Sequence, residues 1–433
     1  MKLDLSSVKH DILQDQNTGI TRSTFTQFVD HFDVLNNNTW SQEYFVDATH
    51  YKGPGYPIFI NIGGEWDSEE RDFQSSWCQE YAAEFNALCF ILEHRFYGQS
   101  HPFGDENPDE NGWKLLTASQ ALADASMFIS EMNKAHDFKS YVKWIAFGCS
   151  YGGTLATWLR LKYPDLVHGA IASSAPLLAQ LDYPEYMQVV EQALFDQDPQ
   201  CPLAIKQGAL ALDQAENKAS IICLYFGYCG NEDFDVFLYT SYAVITQYND
   251  FRDLQINVDI VCDIMTDETI GTPMYRLIEL LQHYFKQSEQ HPDTLTPYLW
   301  VEPWVFQKCN EFGWFKTHAL FGNTLEKHLE ECKKINRKFD EVFVQKQIAQ
   351  TNFLFGGKEP EVTNVVFVHG SIDPWSAMGR TEPWPNQDVD VIIVDGASHC
   401  QDTQLGVEDN WPEMKLAKSK IRQKLQKWTT TTH

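Results

Sequence analysis

Six short apolar runs, each five to seven residues long, stand out along the chain, at 56–62, 87–92, 142–147, 169–173, 364–368 and 390–394. They are rich in β-branched or aromatic residues and bounded by Gly, Pro or Asp, which is typical of strands buried on both faces. Segments with helical periodicity lie between them, at 73–85, 117–135 and 154–163. Because strands that alternate with helices usually pair in parallel, the pattern predicts an α/β fold whose sheet is covered on both faces.

The alternation stops between about residues 178 and 350. This stretch is mostly helical in period and holds six of the ten cysteines, from Cys201 to Cys332. Strand signals resume at Asn364, and the segment 412–428 reads as a closing helix. We therefore expect an α/β core formed by residues 1–177 and 351–433, interrupted by a helical cap at 178–350.

Composition narrows the classes of function. The 433 residues are 43% hydrophobic, 14% aromatic and 21% charged, which excludes a disordered chain or a coiled coil. The net charge of −27 would repel phosphate backbones and anionic membrane surfaces. The sequence contains no run of about 18 apolar residues, so we expect no transmembrane helix. We expect neither a nucleic acid nor a membrane as a partner.

The cysteines bear on the compartment. No C-x-x-C pair exists, so their clustering favours structural disulfides and an oxidising environment. The sequon Asn37-Asn38-Thr39 makes Asn37 a candidate N-glycosylation site and points the same way. No signal peptide is recognisable at Met1-Lys2-Leu3-Asp4, so the expectation of a secretory route depends on the cysteines and the sequon.

The strongest candidate for chemistry is the turn Gly148-Cys149-Ser150-Tyr151-Gly152, which matches G-x-S-x-G. It lies directly after a predicted strand and directly before a helix, which is the setting of a nucleophile elbow. Glycines permit the sharp turn that would lift Ser150 Oγ above the sheet. We predict that Ser150 is a nucleophile and that the backbone N–H of Tyr151 faces the oxyanion site.

Two later loops can complete a triad in the chain order Ser, Asp, His. Asp373 and His399 each follow a predicted strand, 26 residues apart. A carboxylate on Nδ1–H fixes the tautomer of a catalytic histidine and stabilises its imidazolium form. We predict that Asp373 orients His399, which acts as general base and then as general acid. Asp395 is an alternative acid and His369 an alternative base.

The second oxyanion donor should come from a loop after an early strand. The segment Asn61-Ile62-Gly63-Gly64-Glu65 fits, because glycine lets the backbone approach a substrate carbonyl. Gly64 and Glu65 are therefore the candidates. The sequence contains neither an H-E-x-x-H metal motif nor a G-x-G-x-x-G nucleotide motif, and we expect no metal and no cofactor.

These motifs resemble the serine carboxypeptidase family of lysosomal Pro-X carboxypeptidase, peptidase family S28. The family also contains dipeptidyl peptidase II, thymus-specific serine protease and fungal acid prolyl endopeptidases. The resemblance covers most of the core and extends only weakly into the cap. The Gly-Gly-Glu and His-Cys versions of the motifs look closer to thymus-specific serine protease. The matching stretches are residues 25–32, 63–65, 93–100, 116–124, 148–153, 172–176, 373–375 and 398–402.

The resemblance implies an α/β-hydrolase fold with a mostly helical, disulfide-bonded cap of the SKS type. It places the family triad on Ser150, Asp373 and His399, and matches Trp375 to a tryptophan of the proline-binding S1 pocket. It implies a serine-type exopeptidase that cleaves peptides next to proline at acidic pH, in lysosomes or outside the cell, and a homodimer.

For the cap, the resemblance implies the disulfides Cys201–Cys262, Cys309–Cys332 and Cys223–Cys229. The partners of Cys78, Cys89, Cys149 and Cys400 stay open, with the last two as candidates for free thiols beside the catalytic residues.

Four alternatives for the function remain. A cationic group near the site would hold a C-terminal carboxylate, as in a carboxypeptidase. An acidic group would hold an N-terminal amine, as in a dipeptidyl peptidase, and Glu65 is a candidate for that role. An esterase or lipase is disfavoured because the His-Gly-Gly-Gly loop is missing. A catalytically silent binding protein is disfavoured because all three triad residues are present.

Overall fold

The computed structural model describes residues 19–68, 77–104, 110–139, 141–226, 234–249, 256–290, 302–318, 322–384, 388–407 and 409–430. The strands of this part, in chain order, are β1 (Ile20–Phe28), β2 (Thr39–Asp47), β3 (Ile58–Ile62), β4 (Leu88–Leu92), β5 (Trp144–Cys149), β6 (Gly169–Ser173), β7 (Gln180–Asp182), β8 (Gly313–Phe315), β9 (Val365–Gly370) and β10 (Val389–Val394).

The helices are α1 (Trp77–Phe85), α2 (Glu110–Trp113), α3 (Ala118–Ala135), α4 (Tyr151–Lys162), α5 (Glu185–Gln197), α6 (Gln200–Asp213), α7 (Lys218–Phe226), α8 (Phe234–Gln247), α9 (Val258–Thr266), α10 (Pro273–Gln290), α11 (Glu302–Gln307), α12 (Leu325–Ile335), α13 (Glu341–Phe355) and α14 (Pro412–Thr429). A π-helical turn, Lys308–Phe312, follows α11, and a 3₁₀ turn, Pro374–Met378, follows β9. None of the described helices is long and apolar enough to cross a bilayer.

Eight of the strands form one sheet in the order β1-β2-β4-β3-β5-β6-β9-β10. β2 is antiparallel to both of its neighbours, and every other pair from β4 to β10 is parallel. Six of the strands are those that the apolar runs predict. β1 and β2 are additional strands: the Thr- and Ser-rich edge strand β1 lacks a continuous apolar run, and polar residues interrupt that of β2. The chain has the expected α/β-hydrolase fold.

Successive residues of the central strands belong to two separate cores, one on each face of the sheet. Ile58 and Ile60 of β3 pack with Phe128 of α3 and Trp158 of α4. Phe59, between them, packs on the opposite face with residues of α1 and α14. This alternation explains why the strands are apolar throughout, since both faces are covered by helices.

The chain between β6 and β9 adds no strand to the large sheet within its described residues. It forms helices α5 to α13 and a two-stranded parallel sheet of β7 and β8. Cys201–Cys262 joins α6 to α9, and Cys309–Cys332 joins the π-helical turn to α12. Both are pairings expected from the family resemblance. For Cys223–Cys229, Cys229 lies outside the described residues.

Candidate active site

Ser150 lies in the turn between β5 and α4 and has a strained backbone, with φ +56° and ψ −130°. The turn is so tight that a Cβ on Gly148 would lie 2.1 Å from the carbonyl oxygen of Gly152. A Cβ on Gly152 would lie 2.6 Å from the carbonyl oxygen of Ile62 in β3. Side chains are therefore excluded at positions 148 and 152, two residues before and two residues after Ser150, as a nucleophile elbow requires.

Asp373 and His399 form a buried pair. His399 Nδ1 lies 2.8 Å from Asp373 Oδ1, which also accepts a hydrogen bond from the backbone N–H of Trp375 at 3.0 Å. Burial alone would raise the pKa of Asp373, but the charge and hydrogen bond of His399 outweigh it and keep that pKa below its usual value. The carboxylate therefore stays ionised and can hold His399 in one tautomer.

The two alternative residues are placed less well for this chemistry. Asp395 is exposed, and its carboxylate accepts a hydrogen bond from Ser371 Oγ at 3.3 Å. His369 is wholly buried in β9 against Gly379, and burial lowers its pKa to about 4. The observed geometry therefore favours Asp373 and His399 as the acid and base.

A disulfide joins the elbow to the histidine loop. Cys149, which precedes Ser150, is bonded to Cys400, which follows His399, with a Cα–Cα distance of 5.9 Å. The expectation that these two cysteines stay free is wrong, because β5 and β10 end at the same edge of the sheet and bring their loops together. The two sulfurs and a ring nitrogen of His399 all lie within 4.8 Å of one another. Sulfurs joined in a disulfide, however, offer no thiolate to a metal ion.

The remaining open pair also forms a disulfide, Cys78–Cys89, which joins α1 to β4 on the face away from the cap.

The loop after β3 lies against the elbow. The backbone N–H of Gly63 donates to Leu92 in β4 at 2.9 Å, and a Cβ on Gly152 would lie 3.7 Å from the Gly64 nitrogen. Burial raises the pKa of Glu65, which His399 and Lys316 lower in part by their positive charge. Gly64 and Glu65 therefore lie near the elbow and His399, as the prediction of a second oxyanion donor in this loop requires.

The side chain of Tyr151 is held by a chain of hydrogen bonds that the sequence does not reveal. Tyr97 Oη donates to Gln307 Oε1 at 2.6 Å, and Gln307 Nε2 donates to Tyr151 Oη at 2.9 Å. His94 Nδ1 faces the carbonyl oxygen of Arg95 at 2.7 Å, so its Nε2, 3.1 Å from Tyr151 Oη, accepts the tyrosine proton. Burial lowers the pKa of His94 to about 4, which keeps the ring neutral. A cap residue, Gln307, thereby fixes the side chain of the residue whose N–H is predicted to face the oxyanion site.

Trp375 belongs to an aromatic wall next to the histidine. Its ring centroid lies 6.2 Å from that of His399 and 5.7 Å from those of Tyr183, Tyr186 and Trp314. Its Nε1 donates to Gln247 Oε1 at 3.1 Å. The wall combines core residues with residues of the cap.

Lys316, directly after β8, is a further residue of this wall that the sequence did not single out. Its Nζ lies 4.0 Å from the ring centroid of Tyr186 and 4.6 Å from that of Trp375. Burial and the positive charge of Lys308 lower its pKa to about 7, while Glu65 and Asp373 raise it by their negative charge. No motif marks this lysine, because its proximity to Asp373 arises only from the docking of the cap.

The cap also contacts the histidine loop through its backbone. The N–H of His399 donates to the carbonyl oxygen of Gln247 at 3.0 Å, and Ser398 Oγ donates to that of Asn249 at 2.9 Å. The ring of Tyr248 packs edge-on against His399 at 6.3 Å. The end of α8 therefore helps to position the proposed general base.

Comparison with known proteins gives a consistent family. The profile of the family described as Serine carboxypeptidase S28 matches residues 27–421. Thymus-specific serine protease of Mus musculus is 29% identical over 93% of this chain and 86% of its own length. Lysosomal Pro-X carboxypeptidase of Homo sapiens is 28% identical over 87% and 82%, respectively. Among solved structures, proline iminopeptidase of Mycobacterium smegmatis aligns with 93% of this chain and 98% of its own, with 14% identity and a TM-score of 0.40.

Proposed function

Because the chain belongs to the serine carboxypeptidase S28 family and is a serine peptidase, we propose that it is an exopeptidase that cleaves peptides next to proline. Ser150, Asp373 and His399 form its triad in this proposal. The observation that carries the assignment is the 2.8 Å contact between His399 Nδ1 and Asp373 Oδ1. The Cys149–Cys400 disulfide, which ties this pair to the elbow of Ser150, adds to it.

The reaction runs through an acyl-enzyme. Ser150 Oγ attacks the scissile carbonyl carbon while His399 Nε2 takes the hydroxyl proton, and Asp373 stabilises the resulting imidazolium. The oxyanion accepts hydrogen bonds from the N–H of Tyr151 and from an N–H of Gly64 or Glu65. The C–N bond then breaks as His399 gives its proton to the leaving amine. Water, deprotonated by His399, releases the acyl group and regenerates Ser150.

The proline preference rests on the aromatic wall. The ring of Trp375 and those of Tyr183 and Tyr186 offer rigid apolar surfaces beside His399. Such surfaces suit a proline ring, which is itself rigid and buries apolar area without losing rotamer freedom. The cap residues Gln247 and Lys316 bound this wall, and a covered site favours removal of residues from chain ends over internal cleavage.

We place this activity in lysosomes or outside the cell. One relative is named as a lysosomal enzyme, and the described disulfides suit an oxidising compartment. Asn37 of the sequon is exposed in the loop between β1 and β2, where a glycan can be attached. Homodimerisation remains part of the proposal through the family resemblance alone.

The test is incubation with a mixed peptide pool at pH ~5 and identification of products by mass spectrometry. We expect loss of one C-terminal residue after a penultimate proline, or release of N-terminal dipeptides that end in proline, and loss of both with Ser150→Ala. Ser371→Ala, in an exposed loop beside the site, serves as the matched control and should stay active. Absence of any Ser150-dependent product between pH ~4 and ~8 would leave an esterase or a silent fold, which reaction with a fluorophosphonate would separate.

A further inference from the structure

We propose that Lys316 determines specificity by binding a carboxylate of the substrate beside the catalytic groups. The inference rests on the proposed peptidase function and deepens it, because it identifies the charged group of the substrate that the site prefers.

The first observation is the position of the ammonium group. Lys316 follows β8, whose pairing with β7 fixes the local backbone of the cap. Its Nζ lies against Trp375, and Trp375 comes two residues after Asp373, with its ring 6.2 Å from that of His399. The positive charge is thus held on the wall next to the acid–base pair.

The second observation is the surroundings of the charge. Burial of an ammonium group is unfavourable unless other groups compensate it. The faces of Tyr186 and Trp375 supply part of that compensation, and the charges of Glu65 and Asp373 supply more. Asp373, however, already holds His399. Lys308 adds a second positive charge nearby, so a substrate carboxylate would be a favourable charge-assisted partner at this half-buried position.

The third argument concerns the end of the peptide that this charge favours. The leaving amine takes its proton from His399, so the residue that departs lies on the histidine side of Ser150. If that residue is the last of the peptide, its α-carboxylate follows within one residue of the scissile bond. A cation that reaches this side from Trp375 attracts that carboxylate and repels an N-terminal amine.

Two sources of the same chemistry are compatible with this position. One is the α-carboxylate of the leaving residue, and the other is an acidic side chain on the acyl side that rests on Trp375. Two pairs of matched substrates separate these sources. The first pair is a peptide with a free C-terminal carboxylate and the same peptide as its C-terminal amide. The second pair is two peptides that differ by Asp or Asn on the acyl side of the scissile bond. The kinetic constants kcat and KM are measured for each peptide.

The variants are Lys316→Met, which keeps length and apolar contact, and Lys316→Arg, which keeps the charge. Lys308→Met is the matched control: Lys308 is a half-buried neighbouring lysine whose ammonium lies over Phe315, and its positive charge lowers the pKa of Lys316, so its removal leaves the charge of Lys316 in place. Labelling of Ser150 by a fluorophosphonate verifies an intact catalytic site in every variant.

We expect the unmodified enzyme to favour the carboxylate member of at least one pair by about 10- to 100-fold in kcat/KM, the range of a charge-assisted hydrogen bond. Lys316→Met should abolish that ratio, while Lys316→Arg and Lys308→Met should retain most of it. Equal rates for both members of both pairs in the unmodified enzyme would overturn the inference without any variant. A ratio that persists in Lys316→Met would overturn it as well. Failure of Ser150 labelling in the unmodified enzyme would instead refute the peptidase proposal itself.

Discussion

Removal of the Cys149–Cys400 disulfide should lower both the stability of the protein and its kcat. Removal of a disulfide within the cap should lower the stability alone. The double variant Cys149→Ala, Cys400→Ala breaks the bond and leaves no thiol that could mispair. These cysteines flank Ser150 and His399, so the bond constrains the two loops that must meet in the reaction. The matched control is Cys309→Ala, Cys332→Ala, which breaks a disulfide within the cap.

The expected loss of stability follows from the length of chain that each disulfide closes. Cys149 and Cys400 are 251 residues apart, which gives about 5 kcal/mol in the chain-entropy relation. Two further disulfides among the described residues lie inside that loop, with separations of 61 and 23, and lower this value only slightly because the entropy depends on the logarithm of the loop length. The separation of 23 residues in the control corresponds to about 3 kcal/mol.

The effect on the rate separates the two variants. Hydrogen bonds from His399 to Gln247 and from Ser398 to Asn249 still hold the histidine loop, so the site should loosen without being lost. A displacement of about 1 Å between reacting groups lowers the rate by about 10²-fold, and we expect kcat to fall by about 10- to 100-fold. The control should keep its kcat.

The assay combines urea denaturation, followed by tryptophan fluorescence, with steady-state kinetics on a proline peptide. Both double variants should lose free energy of unfolding, but only the first should lose kcat under conditions where all proteins are folded. A value of kcat within twofold of the unmodified enzyme, together with the expected loss of stability, would refute the reasoning. The hydrogen bonds to the cap would then be sufficient to align the site.

Two other predictions follow from the buried carboxyl groups. Asp373→Asn removes the acceptor that fixes the His399 tautomer, and kcat should fall by about 10³- to 10⁴-fold with little change in KM; a fall below tenfold in steady-state assays would contradict the assigned role. Burial raises the pKa of Glu311, which accepts the Ala118 N–H, to about 8 from the ordinary 4.5. The folded protein therefore binds a proton that the unfolded chain releases, and its free energy of unfolding should fall as pH rises from about 4.5 to about 8, by at most about 1.4 kcal/mol per pH unit. Glu311→Gln keeps an acceptor and removes this contribution, so urea denaturation at pH 5 and 8 should show the variant gaining on the unmodified protein at the higher pH, and parallel curves would contradict this.

The sequence predicts those parts of the molecule that depend on local pattern. The elbow around Ser150 is recognisable because strand, glycine turn and helix are consecutive. The contact between Asp373 and His399 could be predicted because each follows a strand of a parallel sheet, whose carboxyl ends share one edge. The six central strands are predicted for a similar reason, since burial on both faces leaves a continuous apolar run.

The remaining features depend on contacts between distant positions. Gln307 reaches Tyr151 from 156 residues away, and Cys400 reaches Cys149 from 251. Lys316 follows β8 in the cap, and it comes close to Trp375 only when the cap packs on the core. No local pattern encodes such distances, because they follow from how the cap packs on the core. β1 was not predicted for a different reason: an edge strand needs few apolar residues and so leaves no continuous apolar run in the sequence.

The interruption of the sheet by the cap also affects how the protein is made. β6 ends at Ser173 and its neighbour β9 begins at Val365, so about 190 residues must be synthesised before this edge of the sheet is paired. At about 5–20 residues per second, His399 emerges about 10–50 s after Ser150. During that interval the nascent chain carries the proposed nucleophile without its proposed base, and β6 has an unpaired edge of the kind that promotes aggregation. The order of elements along the chain therefore delays assembly of the proposed triad until His399 has left the ribosome.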